Sequence, residues 1–244
     1  MADGFRQRAA PTIIVPVYNE GVNLAAWWDE ARAHLPAESR VRVVYDFDGG
    51  DTLPVARELK DAGAPIETLR NRGRGVLDAL VTGLRSVSSG PVIVSMADLS
   101  DDLGVIPVML TRYREGADVV VASRFMPGGT QERGPLLKGF LARWGSLALY
   151  HLAGFPVRDA SNSFRLYDAA LLSKIDFKST GGFEIGFEIT LEAWRRGARI
   201  VEVPSRWRDR VRGRSRFRLM KWLPRYGRLW WSALVFGLGG PDRG

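Results

Sequence analysis

The sequence predicts an α/β fold with a mostly parallel sheet flanked by helices. Short apolar runs rich in Val and Ile alternate with amphipathic stretches through the first half of the chain. Strands that are apolar along their whole length are typical of a parallel sheet covered on both faces. The amphipathic stretches between them supply the helices that such a sheet needs as covers.

Five strands and their helices follow in order along this half. The predicted strands are Thr12–Val17, Val41–Tyr45, Ile66–Leu69, Pro91–Met96 and Asp118–Ser123, and the helices between them are Gly21–Leu35, Thr52–Ala62, Gly75–Val87 and Gly104–Arg114. The less regular second half adds an apolar helix at Leu136–Leu152, a helix at Phe183–Arg196 and a strand at Arg199–Val203. We expect a flexible N-terminus (1–11), one α/β domain (12–217) and an amphipathic Trp-rich C-terminal extension (218–244).

Composition limits the classes of site that the chain can hold. It has no cysteine and two histidines, which excludes disulfides, thiolate metal sites and multi-histidine metal sites. Lys and Arg number 35 against 27 acids, for a net charge of +8, and only five of the cations are lysine. Because the guanidinium group suits bidentate binding of phosphate, this bias favours phosphate-bearing partners.

The basic residues concentrate near the C-terminus. Thirteen Lys or Arg and two acids lie between Arg195 and Arg228. A solvated basic face, a nucleic-acid surface and an anionic lipid surface all fit such a run.

The longest uncharged stretch of the tail, Leu229–Pro241, has 13 residues, and a membrane span needs about 20. The start of the chain, Met1–Pro11, lacks the apolar core of a signal peptide. We therefore expect a cytoplasmic protein without a transmembrane segment.

Charged residues and glycines follow each predicted strand. Ligands of open α/β sheets bind beyond the carboxyl ends of the strands, so these segments are the candidate site. They are the segments 18–20, 46–51, 70–75, 97–102 and the residue Arg124. A purely structural sheet needs turn residues at this edge but not such a density of charge.

The order and spacing of several motifs resemble those of the family 2 glycosyltransferases of GT-A fold, and among them the dolichyl- or polyprenyl-phosphate mannose synthases. The likeness covers roughly Thr12 to Phe217. Its motifs are Pro16-Val17-Tyr18-Asn19-Glu20, Asp46, Ala97-Asp98-Leu99, Ser123-Arg124-Phe125 with Gly128-Gly129, Asp159 with Ser161-Asn162-Ser163-Phe164-Arg165, and Arg210, Gly213, Ser215 and Arg216.

The resemblance implies that the chain binds a nucleoside-diphosphate sugar. Acidic side chains at neighbouring strand ends, Glu20 and Asp46, are placed to accept hydrogen bonds from the base or ribose, while Arg210 and Arg216 would hold the diphosphate from the far side. In a purely structural interpretation, Glu20 caps a helix and Asp46 belongs to a turn. The full implied set is Pro16, Tyr18, Glu20, Val44, Asp46, Met96, Ala97, Asp98, Arg124, Arg210 and Arg216.

Asp98 is the expected ligand of a divalent cation, Mg²⁺ or Mn²⁺. Such a cation stabilises a leaving diphosphate as a Lewis acid, and Mg²⁺ typically takes one or two carboxylates together with phosphate oxygens. The sequence departs from the family here, because Met96 stands where the family has the first Asp of its D-x-D motif. Asp101 and Asp102 are nearby carboxylates, but neither occupies that position.

The expected acceptor is a polyprenyl or dolichyl phosphate. A phosphate monoester is mostly dianionic at neutral pH, so it attacks without the general base that a hydroxyl acceptor needs. The resemblance assigns Arg124 and Lys138 to the acceptor phosphate, and we expect Arg143 to assist them. It implies catalytic roles for Asp98, Arg124 and Lys138 in an inverting transfer of a hexose, with mannose as one candidate. Lys138 replaces an arginine of the family and retains the charge without the bidentate fork.

Helix Leu136–Leu152 carries Lys138 and Arg143 on an otherwise apolar surface, and the tail is rich in Trp. Both features are typical of segments that lie at an anionic membrane surface, so we expect peripheral attachment to the inner face of the membrane. Packing in the core with a dimer contact is the alternative, and the sequence leaves the oligomeric state open.

Three other functions compete with this prediction. The acceptor could be a hydroxyl of a glycan, with Glu188 as the base. Met96 is also compatible with a catalytically degenerate homologue. A nucleic-acid-binding protein is disfavoured, because Glu20, Asp46 and Asp98 would repel phosphate.

Overall fold

The computed structural model describes residue 6 and residues 9–132, 136–209 and 219–239. The strands are β1 (Thr12–Val17), β2 (Arg40–Tyr45), β3 (Ile66–Arg70), β4 (Pro91–Val94), β5 (Val119–Ser123), β6 (Thr130–Glu132), β7 (Arg165–Asp168), β8 (Ile200–Pro204) and β9 (Arg206–Arg208). The helices are α1 (Gly21–Ala31), α2 (Thr52–Asp61), α3 (Gly75–Arg85), α4 (Ile106–Arg114), α5 (Leu136–Ala153), α6 (Ala169–Leu172), α7 (Ile185–Arg195) and α8 (Leu219–Leu238), with a 3₁₀ turn, Leu103–Val105, before α4.

Seven strands form one sheet in the order β3-β2-β1-β4-β7-β5-β8. All neighbouring pairs are parallel except the two that β7 makes with β4 and β5. The α/β class and the mostly parallel sheet are therefore confirmed. Strands β6 and β9 pair in a separate two-stranded sheet beside it.

Alternation of side chains along the strands fills two cores. In β1, Ile13 and Val15 point to the side covered by α1 and α4, where Trp27 is fully buried. Ile14 points to the other side, where α3, α5 and α7 pack. Because both faces are covered, strands of nearly continuous apolar sequence are stable in this sheet.

Strand β7 is the main element that the sequence pattern did not predict. Its residues Arg165-Leu166-Tyr167-Asp168 lack an apolar run, yet all four are buried between β4 and β5. Burial of charged residues at both ends of a central strand requires specific partners, which a periodicity search does not detect.

Helix α8 packs against α5 and α7. The indole Nε1 of Trp230 donates to the Gly145 carbonyl oxygen at 2.8 Å, and Ala233 is completely buried. The rings of Trp194 and Phe236 make an edge-to-face contact with centroids 4.8 Å apart. None of the helices in the described ranges combines the length and the apolar character that crossing a bilayer requires.

Two glycines of α8 allow the docking of this helix to be tested. A Cβ on Gly237 would fall 2.1 Å from the Ala153 carbonyl oxygen, whereas one on Gly227 would meet no atom within 4 Å. We predict that Gly237→Ala lowers the free energy of unfolding by about 1–3 kcal/mol through overpacking. Gly227→Ala should instead raise it by up to about 1 kcal/mol through helix propensity. Denaturant unfolding measures both, and equal effects of the two changes would contradict the α5–α8 packing.

Candidate active site

Two exposed aromatic rings stand at the carboxyl ends of β1 and β2. The centroids of Tyr18 and Phe47 are 5.4 Å apart. Asn19 lies between the strand and α1 with φ of 54°, and its Oδ1 accepts a hydrogen bond from Asp51 N at 3.0 Å. This bond joins the turn after β1 to the turn after β2, so it helps to fix the positions of the two aromatic residues.

Asp46 ties the end of β2 to the loop that precedes α3. Its Oδ1 accepts from Asn71 Nδ2 at 2.7 Å and its Oδ2 accepts from Gly75 N at 2.8 Å. Each carboxylate oxygen has a further lone pair for a ligand donor. Pro16 and Val44 pair in register between β1 and β2, but the Val44 side chain is fully buried and therefore supports α3.

The turn after β4 presents Asp98 at the same edge. Asp101 Oδ2 accepts from Met96 N at 3.0 Å, and Asp98 Oδ1 accepts from Ser100 N at 3.1 Å. Leu99 between them has φ of 58°, a conformation that costs a residue with a Cβ roughly 1–2 kcal/mol. The carboxylates of Asp98 and Asp101 thus stabilise a strained turn. Its first residues, Met96, Ala97 and Asp98, lie just beyond the carboxyl end of β4.

Asp101 lies close enough to Asp98 for their charges to interact. Burial, with a contribution from Asp98, raises the pKa of Asp101 to about 7. No group of three His, Cys, Asp or Glu side chains in the described part of the chain could hold a metal ion alone. A single carboxylate such as Asp98 is compatible with a cation that takes its other oxygens from a diphosphate and from water.

Arg124 makes a buried ion pair with Asp159 beyond the end of β5. Its Nε lies 2.7 Å from Asp159 Oδ2 and its Nη2 lies 2.9 Å from Asp159 Oδ1, while its backbone N donates to Oδ2. Burial alone would raise the pKa of Asp159, but the Arg124 guanidinium outweighs that effect and holds this pKa below its usual range. Gly129 completes the corner, because a Cβ there would lie 2.3 Å from the Ser123 carbonyl oxygen.

Arg165 supports the loop that carries Asp159. This arginine is fully buried and donates to the carbonyl oxygens of Asn162, Ala160 and Gly186 at 2.7, 2.7 and 2.5 Å. It thereby fastens the loop to the start of α7. Because Asp159 stands on this loop, the bonds of Arg165 also help to fix the carboxylate that pairs with Arg124.

The expected acceptor cations differ in exposure. Arg124 is 8% exposed, whereas Arg143 on α5 is exposed and Lys138 is half-buried. Both guanidinium groups, those of Arg124 and Arg143, lie near the Phe125 ring, with Cζ 4.8 and 5.9 Å from its centroid. The structure thus brings Arg143 to the edge where Arg124 lies.

Strand β9 runs beside the Asp98 turn. Arg208 N donates to the Ser100 carbonyl oxygen at 3.0 Å, and Arg206 N donates to Asp102 Oδ2 at 3.4 Å. These two hydrogen bonds fasten β9 to the turn that carries Asp98. The chain continues from β9 towards Arg210 and Arg216, and both of these expected diphosphate ligands lie outside the described residues.

Glu188 is placed differently from a general base. It is buried in α7, and its Oε1 and Oε2 accept hydrogen bonds from Lys178 N at 2.6 Å and Ser179 N at 2.9 Å. Both oxygens therefore anchor the loop that leads to α7. This arrangement gives no support to a hydroxyl-activating role.

Sequence reasoning assigned no role to several residues that shape the site. Asp159 and Ser161 stand within a quoted motif, and the motif itself was the signal that could have identified the partner of Arg124. Trp207 had no comparable signal. Its ring centroid lies 5.8 Å from Arg124 Cζ, a contact that depends on the position of β9.

Residues 12–176 match the family described as glycosyl transferase family 2. The chain belongs to this family. The motifs at the ends of β1, β4 and β5 fall within the matched range.

Two curated relatives have names that state an acceptor. A dolichol-phosphate mannosyltransferase of Pyrococcus furiosus is 28% identical over 228 residues, which are 86% of this chain and 64% of the relative. An undecaprenyl-phosphate mannosyltransferase of Micrococcus luteus is 32% identical over 210 residues, which are 83% of this chain and 85% of the relative. The chain thus spans less than two thirds of the length of the Pyrococcus protein.

Solved structures share the fold. Glucosyl-3-phosphoglycerate synthase of Mycobacterium tuberculosis, in complex with Mn²⁺, UDP and glucosyl-3-phosphoglycerate, superposes with a TM-score of 0.64 at 18% identity, over 99% of this chain and 84% of that chain. The same enzyme with Mg²⁺ and UDP gives a TM-score of 0.64 at 17% identity, with the same coverage. At this level of identity the likeness supports the GT-A fold alone.

The Arg124–Asp159 pair can be tested through stability. We predict that Asp159→Asn lowers the free energy of unfolding at pH 7 by about 3–5 kcal/mol, because it leaves a buried guanidinium without its counter-charge. Since the pKa of Asp159 is depressed in the folded state, this stabilisation is present above the ordinary carboxyl pKa and is lost as pH falls through the lowered pKa. The difference in the free energy of unfolding between the parent and Asp159→Asn should therefore become smaller at acidic pH.

The matched control is Glu192→Gln, which removes a half-buried carboxylate that pairs with Arg195 and Arg196 on the surface. It should cost less than about 1 kcal/mol. Denaturant unfolding at several pH values measures both variants. A loss for Asp159→Asn no larger than that of the control would show that the buried pair does not stabilise the fold.

Proposed function

We propose that the chain transfers a hexose, with mannose as the first candidate, from a nucleoside-diphosphate sugar to a polyprenyl phosphate at a membrane surface. The observation that carries this proposal is the contact between α5 and the end of β5. It brings the exposed Arg143 to the same Phe125 ring that Arg124 contacts, at the border of an apolar helical surface. The names of the two curated relatives support the same acceptor class.

A phosphate acceptor accounts for the charges at this edge. Phosphate monoesters carry close to two negative charges at neutral pH, so cations bind them and no base has to remove a proton. An acceptor phosphate oxygen forms the bond to the anomeric carbon as the bond from that carbon to the diphosphate oxygen breaks. Attack opposite to the leaving group inverts the configuration. Arg124, Lys138 and Arg143 would hold the acceptor phosphate during this step.

The donor would bind across the ends of β1, β2 and β4. In this proposal Tyr18, Glu20 and Asp46 bind the base and ribose, and Asp98 meets the diphosphate at the end of β4. A divalent cation at Asp98 supplies Lewis-acid neutralisation of the leaving diphosphate. Arg210 and Arg216 remain proposed ligands of the same diphosphate.

The membrane side of the proposal rests on one apolar surface, here called the outer face. On α5, Leu137, Leu141 and Trp144 fall on one stripe at helical spacing, and on α8 the stripe contains Trp231 and Val235. The two helices contact each other through the Gly145–Trp230 bond, and in this proposal their exposed apolar residues act as one surface. The outer face comprises Leu137, Phe140, Leu141, Trp144, Leu152, Trp231, Val235 and Leu238, all of them exposed.

Cations border this surface, as they do where a protein meets anionic lipid. Arg143 precedes Trp144 on α5, and Arg228 lies one turn before Trp231 on α8, both exposed. A lipid phosphate near Arg143 would have its hydrocarbon chain next to the outer face. The same helix would then contribute to both the lipid and the phosphate contacts.

The metal requirement is tested at Asp98. Asp98→Asn should reduce transfer by a factor of about 100–1,000, the loss typical of removing one strong electrostatic stabiliser. A chelator should abolish activity of the parent, and added Mg²⁺ or Mn²⁺ should restore it. Asp61→Asn, at the far end of α2, is the control and should leave the rate unchanged. Full activity in chelator would transfer the neutralising role to arginine.

The outer face is tested by liposome sedimentation. Phe140→Gln and Trp231→Gln should each weaken binding to vesicles that contain phosphatidylglycerol, because rings that are 58% and 63% exposed would no longer enter the lipid. Val108→Gln, an exposed apolar residue of α4, is the matched control and should bind like the parent. Salt should weaken binding, since exposed charges are screened within about 10 Å at 0.1 M. Equal binding by all variants would remove the outer face from the proposal.

Product chemistry decides the acceptor. Nucleotide sugars with a labelled hexose are supplied together with undecaprenyl phosphate in detergent micelles. A sugar linked to polyprenyl phosphate should partition into organic solvent and be released by mild acid. A labelled product that stays in water and resists mild acid would refute the lipid-phosphate acceptor and favour a hydroxyl acceptor.

A further inference from the structure

The Phe125 ring is shared by two arginines that come from different elements. Arg124 is its neighbour at the end of β5 and lies with Cζ 4.8 Å from the ring centroid, whereas Arg143 reaches it from α5 at 5.9 Å. Phe125 itself is buried at 7% exposure. A fixed ring therefore connects the sheet edge to the helix that carries the outer face.

The two arginines have different charge environments. Arg124 is neutralised by Asp159 at 2.7 Å, and its guanidinium also lies near the Trp207 ring. Within the described residues, Arg143 forms no ion pair with a carboxylate, and its guanidinium contacts the Phe125 ring. The aromatic face attracts a cation through its quadrupole and does so without cancelling the charge.

A ring therefore suits this position better than a carboxylate would. An arginine side chain loses about 2 kcal/mol of rotamer entropy when it is fixed, so an exposed Arg143 without a contact would sample many positions. A carboxylate partner would hold it but would repel a phosphate ligand. The Phe125 ring restricts Arg143 and leaves its positive charge available.

From these contacts we infer that Phe125 is a positioning residue, which holds Arg143 at the end of β5 with its positive charge available to the acceptor phosphate. This inference rests on the proposed function, because it takes the acceptor to be a phosphate. It gives Phe125 no contact with the substrate. The ring acts through Arg143, and its removal should affect the acceptor alone.

The test separates the Michaelis constants of the two substrates. Phe125→Met keeps much of the side-chain volume but lacks the aromatic face, and it should raise the KM for undecaprenyl phosphate about two- to thirty-fold, the range that corresponds to one cation–π contact. The KM for the nucleotide sugar and kcat should stay within about two-fold, as expected when binding to only one substrate is weakened. Phe125→Tyr retains the ring and should behave like the parent.

Phe177→Met is the matched control. It removes the ring beneath Arg85, whose Cζ lies 4.1 Å from the centroid, at a contact between α3 and the segment after α6. The KM for undecaprenyl phosphate should not change in this variant. An equal rise would show that loss of any such contact perturbs the enzyme, and it would overturn the inference.

A double-mutant cycle tests whether Phe125 acts through Arg143. Arg143→Gln alone should raise the KM for undecaprenyl phosphate, and adding Phe125→Met should cause little further rise. If the increases in this KM caused by the two single changes multiply in the double variant, the two residues act independently and the inference is contradicted. If Phe125→Met does not fold, Arg143→Gln decides alone, since an unchanged KM for undecaprenyl phosphate would exclude the positioning role.

Failure of the proposed function can be distinguished from failure of the role inferred for Phe125. A parent enzyme whose product is not a lipid-linked phosphate refutes the function before any variant is measured. A parent that makes that product while the cycle shows independent effects refutes only the role of Phe125.

Discussion

The ion pair between Arg124 and Asp159 fixes the part of the sheet edge on which the rest of the site depends. Asp159 is completely buried, and it accepts hydrogen bonds from Arg124, Ser161 and Asn162, including three backbone N–H groups. Loss of hydration makes such a carboxylate costly to bury, and this number of charge-assisted bonds offsets the cost. The end of β5 and the approach to β7 are therefore held in a single arrangement, and Arg165 extends that arrangement to α7.

The turn after β4 is stabilised through a backbone donor rather than through an ion pair. The family places a carboxylate where Met96 stands, but the shape of this turn depends on the Met96 backbone N–H, which donates to Asp101. Every residue except proline supplies that donor, so the exchange of side chain leaves the turn intact. Asp98 is held in the turn by its bond from Ser100 N, whereas the methionine side chain cannot act as a carboxylate ligand. The geometry of the turn and the number of its metal ligands are therefore separate properties of this site.

How far the sequence alone could lead is clear from individual elements. Strands β1, β2 and β5 were predictable because burial on both faces requires an apolar run, and the edge residues followed from the parallel order. Strand β7 was not, since its charged ends are stabilised by specific hydrogen bonds, such as those from Arg165 to Gly186 and from Tyr113 to Asp168, that follow no periodic pattern. The Asp159 partner of Arg124 lies 35 residues away, and periodicity carries no information about such a pair. The outer face depends on the packing of α5 against α8, which neither helix specifies by itself.

The distribution of charge along the edge argues for a phosphate as the acceptor. Acids lie at β1, β2 and β4, where a donor nucleotide and a cation would bind in the proposed function, while Arg124 and Arg143 lie where α5 meets β5. Glu188, the one base that the sequence offered for a hydroxyl, is committed to two backbone N–H groups of its own loop. A hydroxyl acceptor would need a proton acceptor near cations that depress proton affinity, whereas a dianionic phosphate is stabilised by the same cations. The arginines are thus unfavourable for the first reaction and favourable for the second.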